Sequence, residues 1–281
     1  MIVSVASGKG GTGKTTIATN LAFAMERDCE VQFFDCDVEA PNAYLFLKPQ
    51  LTYYEPIVAA CPTVDSTRCT FCGTCADICA FKALAVVKDR VLVFPDLCHD
   101  CGGCELFCPE HAIGRKEHKI GFLECGHAGN IAFCQGKLSP GEAFSTPIIR
   151  ALKRRVPDDA FVIVDAPPGT SCPVVDAIEG SDICLLVTEP TPFGLHDLTL
   201  AVKLARKLDL RMGVIINRAD IGDSAVENYC LKERLPIVMR IPYDKQLAIA
   251  YAQGKPAIGS LPKYSERFRA LYHDIRKLVD G

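Results

Sequence analysis

An α/β protein with a doubly wound, mainly parallel sheet, interrupted by a small cysteine-rich α+β insert, is what three features of this 281-residue sequence predict. Short apolar runs alternate with helical stretches at both ends of the chain, the pattern of a parallel sheet covered on both faces. A glycine-rich turn separates the first apolar run from the first helical stretch. Eight of the 16 cysteines fall between Cys69 and Cys108, where the alternation stops.

Taken in order, Ile2–Ala6 reads as a short apolar strand and residues 8–16 as the glycine-rich turn. Residues 15–26 read as a helix, with Ile17, Ala18, Leu21, Ala22 and Met25 at helical spacing. A second strand over residues 31–34 ends at Asp35. The rhythm stops around residues 56–61. From there to about His118 no long periodic segment appears, and two cysteine runs repeat one another, with Cys69 matching Cys98. Glycines and polar residues over 121–136 suggest a hairpin or loop return. Buried strands then resume at 161–164, ending at Asp165, and at 183–187, 212–216 and Ile237–Ile241. Helices are expected near 195–208, 224–234 and 245–253. The last helix, 265–279, aligns Phe268, Leu271, Tyr272, Ile275, Leu278 and Val279. Such a stripe ordinarily faces a core, the alternative being a membrane surface. The expected domains are one body in two parts, 1–60 and 119–281, with 61–118 inserted.

Composition narrows the class. The chain is 49% hydrophobic and 23% charged, an ordinary globular balance, and a net charge of −3 offers no basic field for nucleic acid. No apolar run approaches the roughly 18 residues that span a bilayer. Met1 to Ala6 lead straight into Gly8, with no secretory signal pattern. The expectation is a cytoplasmic protein in a reducing environment, whose cysteines serve ligation rather than disulfide staples.

Gly8-x4-Gly13-Lys14-Thr15 fits the phosphate-loop pattern. Glycine lets backbone N–H groups wrap phosphates, Lys14 adds a charge at the outer phosphates, and the Thr15 hydroxyl is placed for Mg2+. The following helix points its positive end at the same anion. The full loop, Gly8-Lys9-Gly10-Gly11-Thr12-Gly13-Lys14-Thr15-Thr16, carries a second lysine. In this the chain outside the insert resembles the deviant phosphate-loop ATPases of the MinD, Mrp and nitrogenase iron-protein class. That resemblance implies ATP hydrolysis in a homodimer, or a heterodimer with a paralogous ATPase, with Lys9 reaching the partner's nucleotide. It also implies that Asp35 and Asp165 hold the Mg2+ shell and Asp37 orients the attacking water. Gly169, in Asp165-Ala166-Pro167-Pro168-Gly169, would sense the γ-phosphate, Asn217 would contact adenine, and Pro242 would pack on the nucleoside.

The cysteines run Cys69-x2-Cys72-x2-Cys75-x3-Cys79 and Cys98-x2-Cys101-x2-Cys104-x3-Cys108, followed by Pro109. Such runs ligate iron–sulfur clusters, the fourth cysteine of each serving the other run's cluster. Zinc modules also use C-x2-C pairs, but with longer separations. The insert resembles a bacterial two-cluster ferredoxin, apart from Ala80 where a proline often follows Cys79. The resemblance implies one [4Fe-4S] cluster on Cys69, Cys72, Cys75 and Cys108, and another on Cys98, Cys101, Cys104 and Cys79. Cys184 reads as a small buried hydrophobe. Cys172, just beyond the second switch, and Cys134 are candidates for a cluster bridging two subunits, the alternative being plain packing near an interface. The C-x2-C of Mrp-type carriers is absent after Asn217.

Three readings follow for the whole: ATP-gated electron transfer from the clusters to a redox partner, ATP-dependent assembly or delivery of a cluster or other metallocentre, and a redox-sensing positioning or scaffold ATPase. The first is favoured, because ligands gathered in one compact insert hold their clusters.

Overall fold

The computed structural model describes residues 1–157 and 159–281. From the N-terminus, β1 (Ile2–Ala6) leads through the glycine-rich turn to α1 (Lys14–Met25), β2 (Val31–Asp35) and the short α2 (Tyr44–Leu47). A 15-residue strand β3 (Gln50–Val64) enters the insert, which holds α3 (Thr74–Ile78), the hairpin β4 (Leu84–Val87) and β5 (Arg90–Val93), and α4 (Gly103–Leu106). The chain returns along β6 (Ile113–Ala128), then β7 (Ile131–Leu138) and α5 (Thr146–Lys153). The alternation resumes with β8 (Phe161–Asp165), α6 (Cys172–Ile178), β9 (Ile183–Thr188) and α7 (Pro192–Lys207). It continues with β10 (Arg211–Asn217), α8 (Ala225–Lys232) and β11 (Ile237–Ile241). Three helices close the chain: α9 (Lys245–Ala252), α10 (Ala257–Ser260) and α11 (Pro262–Asp280).

One sheet organises the body, in the order β11-β10-β9-β1-β8-β2-β7-β6-β3. The seven strands from β11 to β7 are parallel, and β6 and β3 extend the sheet antiparallel. Parallel strands are buried on both faces, so their sequences are mainly apolar without strict alternation. Neighbouring residues feed opposite cores. Phe33 packs with Ile17 and Leu21 of α1 and Phe268, Leu271 and Ile275 of α11. Phe34 joins Ile148 and Leu152 of α5, Val174 of α6 and Val202 of α7. The α11 stripe is therefore core-facing. Among the described residues no helix is long and apolar enough to cross a membrane.

The expected stop at residues 56–61 needs correction, because those residues lie inside β3. Pro56 and Pro62 look like loop formers, yet β3 is the sheet's edge strand, where a missing N–H on the open side costs nothing. The stretch 61–118 likewise begins and ends in regular structure. β3 and β6 form one ribbon, with Ala60 opposite Glu117 and Cys61 opposite Lys116, so the expected boundaries fall within it. Beyond the ribbon the insert has a small apolar cluster of its own, built on Cys75, Ala83, Leu84 and Ile113. The glycine-rich 121–136 stretch is the β6–β7 hairpin, turning at Gly129.

Leu21 is fully buried under the sheet, whereas Leu231 on α8 is 80% exposed. Leu21→Ala is expected to lower unfolding stability by about 2–5 kcal/mol, and Leu231→Ala by under about 0.5 kcal/mol. Equal shifts in denaturant midpoint would refute this assignment of the core.

Candidate functional site

Residues from six strands meet at one edge of the sheet, because in a parallel sheet all carboxyl ends face the same way. β1 delivers the phosphate loop, β2 Asp35, β8 Asp165, β9 Glu189, β10 Asn217 and β11 Pro242. α1 begins at Gly13, whose φ of 100° no side chain adopts comfortably and whose added Cβ would lie 2.7 Å from Asn217 Nδ2. No side chain caps α1, which leaves its first N–H groups for an anion. Asn217 donates to the Thr12 carbonyl at 2.8 Å and so braces the loop. Thr12 Oγ1 is buried without a hydrogen-bond partner among the described residues.

Asp35 and Asp165 stand directly opposite one another on β2 and β8, both fully buried. Burial, then the neighbouring Asp165 charge, pushes the Asp35 carboxyl well above its usual range. Asp35 answers with three backbone donors: Asp37 N–H to Oδ1 at 3.1 Å, and Asn42 and Ala43 N–H to Oδ2 at 3.1 and 3.0 Å. Its carboxylate thereby shapes the loop after β2. Burial raises Asp165 to about 7, opposed by a hydrogen bond from Thr15 and by the Lys14 charge. Thr15 Oγ1 donates to Asp165 Oδ2 at 2.6 Å, while Asp165 Oδ1 is buried with no hydrogen-bond partner among the described residues. An orphaned carboxylate oxygen beside a threonine hydroxyl is a donor set that suits a hard cation such as Mg2+. Asp37 is half-buried, and burial raises its carboxyl against the pull of Lys14.

Gly169, with φ of 98°, donates its N–H to the Ser7 carbonyl at 3.0 Å. That donor must leave Ser7 before it can meet a phosphate. Lys9 Nζ lies 3.7 Å from Glu189 Oε2, and Arg218 Nη1 lies 2.8 Å from Oε1, close in distance but not aligned as a hydrogen bond. Sequence reading missed Glu189 and Arg218. Their signal was position alone, at the ends of β9 and β10. Gly11, Gly13, Thr16, Asn217 and Pro242 line one pocket with Tyr243 and Tyr251. Gly8 and Gly10 complete the loop beside Lys9.

The eight run cysteines sort into two pockets. Cys69, Cys72, Cys75 and Cys108 line one, among Val64, Val86 and Ile113. Cys98, Cys101, Cys104 and Cys79 line the other. Equivalent amides point at equivalent sulfurs: Ala83 N–H to Cys79 Sγ at 3.2 Å, and Ala112 N–H to Cys108 Sγ at 3.3 Å. Burial raises the Cys75, Cys98 and Cys104 thiols, while the Thr74 hydroxyl lowers exposed Cys72. Among the described residues no three His, Cys, Asp or Glu side chains meet as a site for a single metal ion. Four thiols around an apolar pocket, with N–H donors to sulfur, fit a polynuclear iron–sulfur group.

The subunit-bridging role considered for Cys134 is corrected. Cys134 on β7 faces Cys125 on β6, with Cα atoms 4.1 Å apart, and the two are disulfide-bonded. Its sulfur is thus committed within the sheet. Cys172 is exposed at the start of α6, and Cys184 is fully buried.

Comparisons with known proteins agree with this geometry. Residues 3–257 match the family described as the CobQ/CobB/MinD/ParA nucleotide binding domain. An uncharacterised protein of Methanocaldococcus jannaschii is 32% identical over 269 residues, 95% of this chain and 93% of that one. The cytosolic Fe-S cluster assembly factor NUBP2 of Gallus gallus is 24% identical over 100% of this chain and 92% of its own. Among solved structures, the septum site-determining protein MinD of Pyrococcus horikoshii, complexed with Mg-ADP, superposes with a TM-score of 0.63 at 19% identity, covering 99% of this chain and 96% of that one. With a phosphate loop at the carboxyl edge of a MinD-like sheet and a family match across nearly its whole length, this chain belongs to the CobQ/CobB/MinD/ParA nucleotide-binding family.

Proposed function

We propose that this protein is an ATP-hydrolysing iron–sulfur protein in which the nucleotide switch gates electron transfer from two [4Fe-4S] clusters to a partner protein. The observation that carries this reading is the sorting of cysteines: each pocket takes three from one run and the fourth from the other. That interleaving is how two-cluster ferredoxin ligation works.

In this reading the loop amides and Lys14 hold the phosphates. Thr15 and Asp165 Oδ1 hold Mg2+, and Asp35 fixes the loop that presents Asp37 to the attacking water. Mg2+, when bound, neutralises charge on the phosphates. Gly169 exchanges its Ser7 carbonyl for the γ-phosphate, the kind of contact whose loss on hydrolysis releases a switch. Lys9 acts across a dimer of two such chains, or of this chain and a paralogue, and Asn217 and Pro242 form the base pocket. The clusters, when bound, supply one-electron carriers.

A second reading has its own support. The relative from Gallus gallus is named as an Fe-S cluster assembly factor, and a relative from Pyrococcus horikoshii, 23% identical, as an iron-sulfur cluster carrier protein. Assembly or delivery would transfer iron to an apo acceptor, and an acceptor-loading assay under anaerobic conditions separates the two. Rapid, ATP-dependent loading would overturn electron gating in favour of delivery.

Lys14→Ala should abolish tight MgATP binding by calorimetry, and retained micromolar affinity would overturn the phosphate assignment. Lys9→Ala should keep the fold and binding yet lower turnover at least about tenfold, a loss of ~1.4 kcal/mol in transition-state stabilisation. Normal hydrolysis by that variant would remove the cross-dimer role. Cys108→Ser should reduce iron from about eight to about four atoms per chain by removing a ligand from the pocket of Cys69, Cys72 and Cys75. An unchanged iron content and cluster spectrum would contradict the assignment of Cys108 as a cluster ligand.

A further inference from the structure

The segment that joins β7 to α5 touches the nucleotide switch and the cysteine-rich insert together. At the switch, the Leu138 N–H donates to the Val38 carbonyl at 2.8 Å, and the Ser145 hydroxyl to Glu39 Oε1 at 3.5 Å. Val38 and Glu39 follow Asp37 directly. Just beyond Ser145, Ile148, Ile149 and Leu152 of α5 are fully buried in the same core as Cys36 and Val38. Any movement of the loop after β2 is therefore felt at both ends of this segment, because a close-packed core transmits displacement rather than absorbing it.

At the insert, the Phe144 ring lies 4.6 Å from the His99 imidazole, centroid to centroid. His99 also stacks on Phe81 at 3.6 Å, with the rings 6° from parallel. His118 Nε2 on β6 lies 3.4 Å from Glu142 Oε2. His99 follows Cys98 and is two residues from Cys101, and all three line the second cysteine pocket. The next residue, Asp100, accepts the Ala60 N–H at 3.0 Å and pairs with Arg115. The loop bearing these two cysteines thus has separate anchors: Asp100 ties it to the ribbon, and His99 ties it to the nucleotide-binding body through Phe144.

We propose that residues 138–145 are a mechanical relay between the first switch and the second cluster pocket, with Phe144 against His99 as its working contact. The proposal rests on the reading of the insert as a cluster carrier. Phe144 acts by positioning the loop that holds Cys98 and Cys101. Nucleotide binding orders the loop after β2, shifts 138–145 through Val38 and Glu39, and presses or releases His99. A change in that loop alters the surroundings of the second cluster, and hydrogen bonding and solvent exposure around cluster sulfurs set reduction potentials. Among the described residues, none lining the first pocket makes an aromatic contact of this kind with the segment. Coupling should therefore fall on one cluster more than the other.

The test is hydrogen exchange on the anaerobically reconstituted protein, with and without a non-hydrolysable MgATP analogue, after iron content has been measured. In the unaltered protein, exchange should slow about fivefold or more in three segments, 35–43, 138–145 and 95–101. In Phe144→Ala the response should persist in the first two and vanish from 95–101. Phe144→Leu keeps the segment packed if alanine compromises folding, and it should weaken the 95–101 response while sparing 35–43. Full retention of the 95–101 response in either folded variant would overturn the relay. So would an unaltered protein that responds at 35–43 but not at 138–145. A protein that takes up no iron on reconstitution would instead overturn the cluster reading itself.

Discussion

Two carboxylates, Asp35 and Asp165, side by side and without solvent at the carboxyl edge of the sheet, are the constraint on which the site depends. Placing like charges on adjacent strands in a dry interior is unfavourable unless each finds compensation. Asp35 finds it in three backbone N–H groups, which obliges the chain to turn sharply after β2 and carry Asp37 to the edge. Asp165 finds only half of it. Thr15 and Lys14 help, but one oxygen has no hydrogen-bond partner among the described residues. The site is therefore poised for an added cation, and phosphates brought with that cation complete the charge balance on the other side.

The same turn explains where the insert grows. The loop after β2 runs through α2 into β3, so only the short α2 separates that loop from the ribbon. β6 returns beside it and β7 lies next to β2, with Phe34 opposite Cys134 and Asp35 opposite Gln135. The insert is thus a long excursion between two strands that border the nucleotide site. An insertion at the far end of the sheet, beyond β11, would have no neighbour at the first switch.

Much of this was legible in the residues. Ile2–Ala6, with Ser4 its one polar residue, the residues before Asp165 and the run from 183 to 187 are apolar, because strands buried on both faces need no alternation. The phosphate loop and the cysteine runs were legible because their chemistry dictates spacing. β3 and β6 were not. The ribbon exposes Tyr53, Tyr54 and Val58, contains Pro56 and Pro62, and lies at an edge where propensity is weakly constrained. The disulfide between Cys125 and Cys134 was hidden for a related reason, since pairing across β6 and β7 depends on a register that the sequence does not announce. Glu189 and Arg218 were missed because single charged residues at strand ends carry no pattern until the sheet aligns them.

That last pair bears on the role proposed for Lys9 at a second subunit. Glu189 is nearly buried, and a buried carboxylate left alone is strongly unfavourable. Were Lys9 its only partner, withdrawing the lysine toward another chain would strand that charge. Arg218 removes the difficulty, because its guanidinium stays within 2.8 Å of Glu189 when Lys9 leaves. Lys9, at a longer 3.7 Å separation, is the weaker partner. In the proposed role, its release would exchange a loose ion pair for a nucleotide phosphate, with Arg218 still beside Glu189. Arg218 adopts a left-handed backbone conformation, φ 52°, immediately after Asn217, which braces the phosphate loop. Arg218 is thereby fixed to the same strand end that braces the loop carrying Lys9, so the proposed movement of the lysine would leave the phosphate site in place.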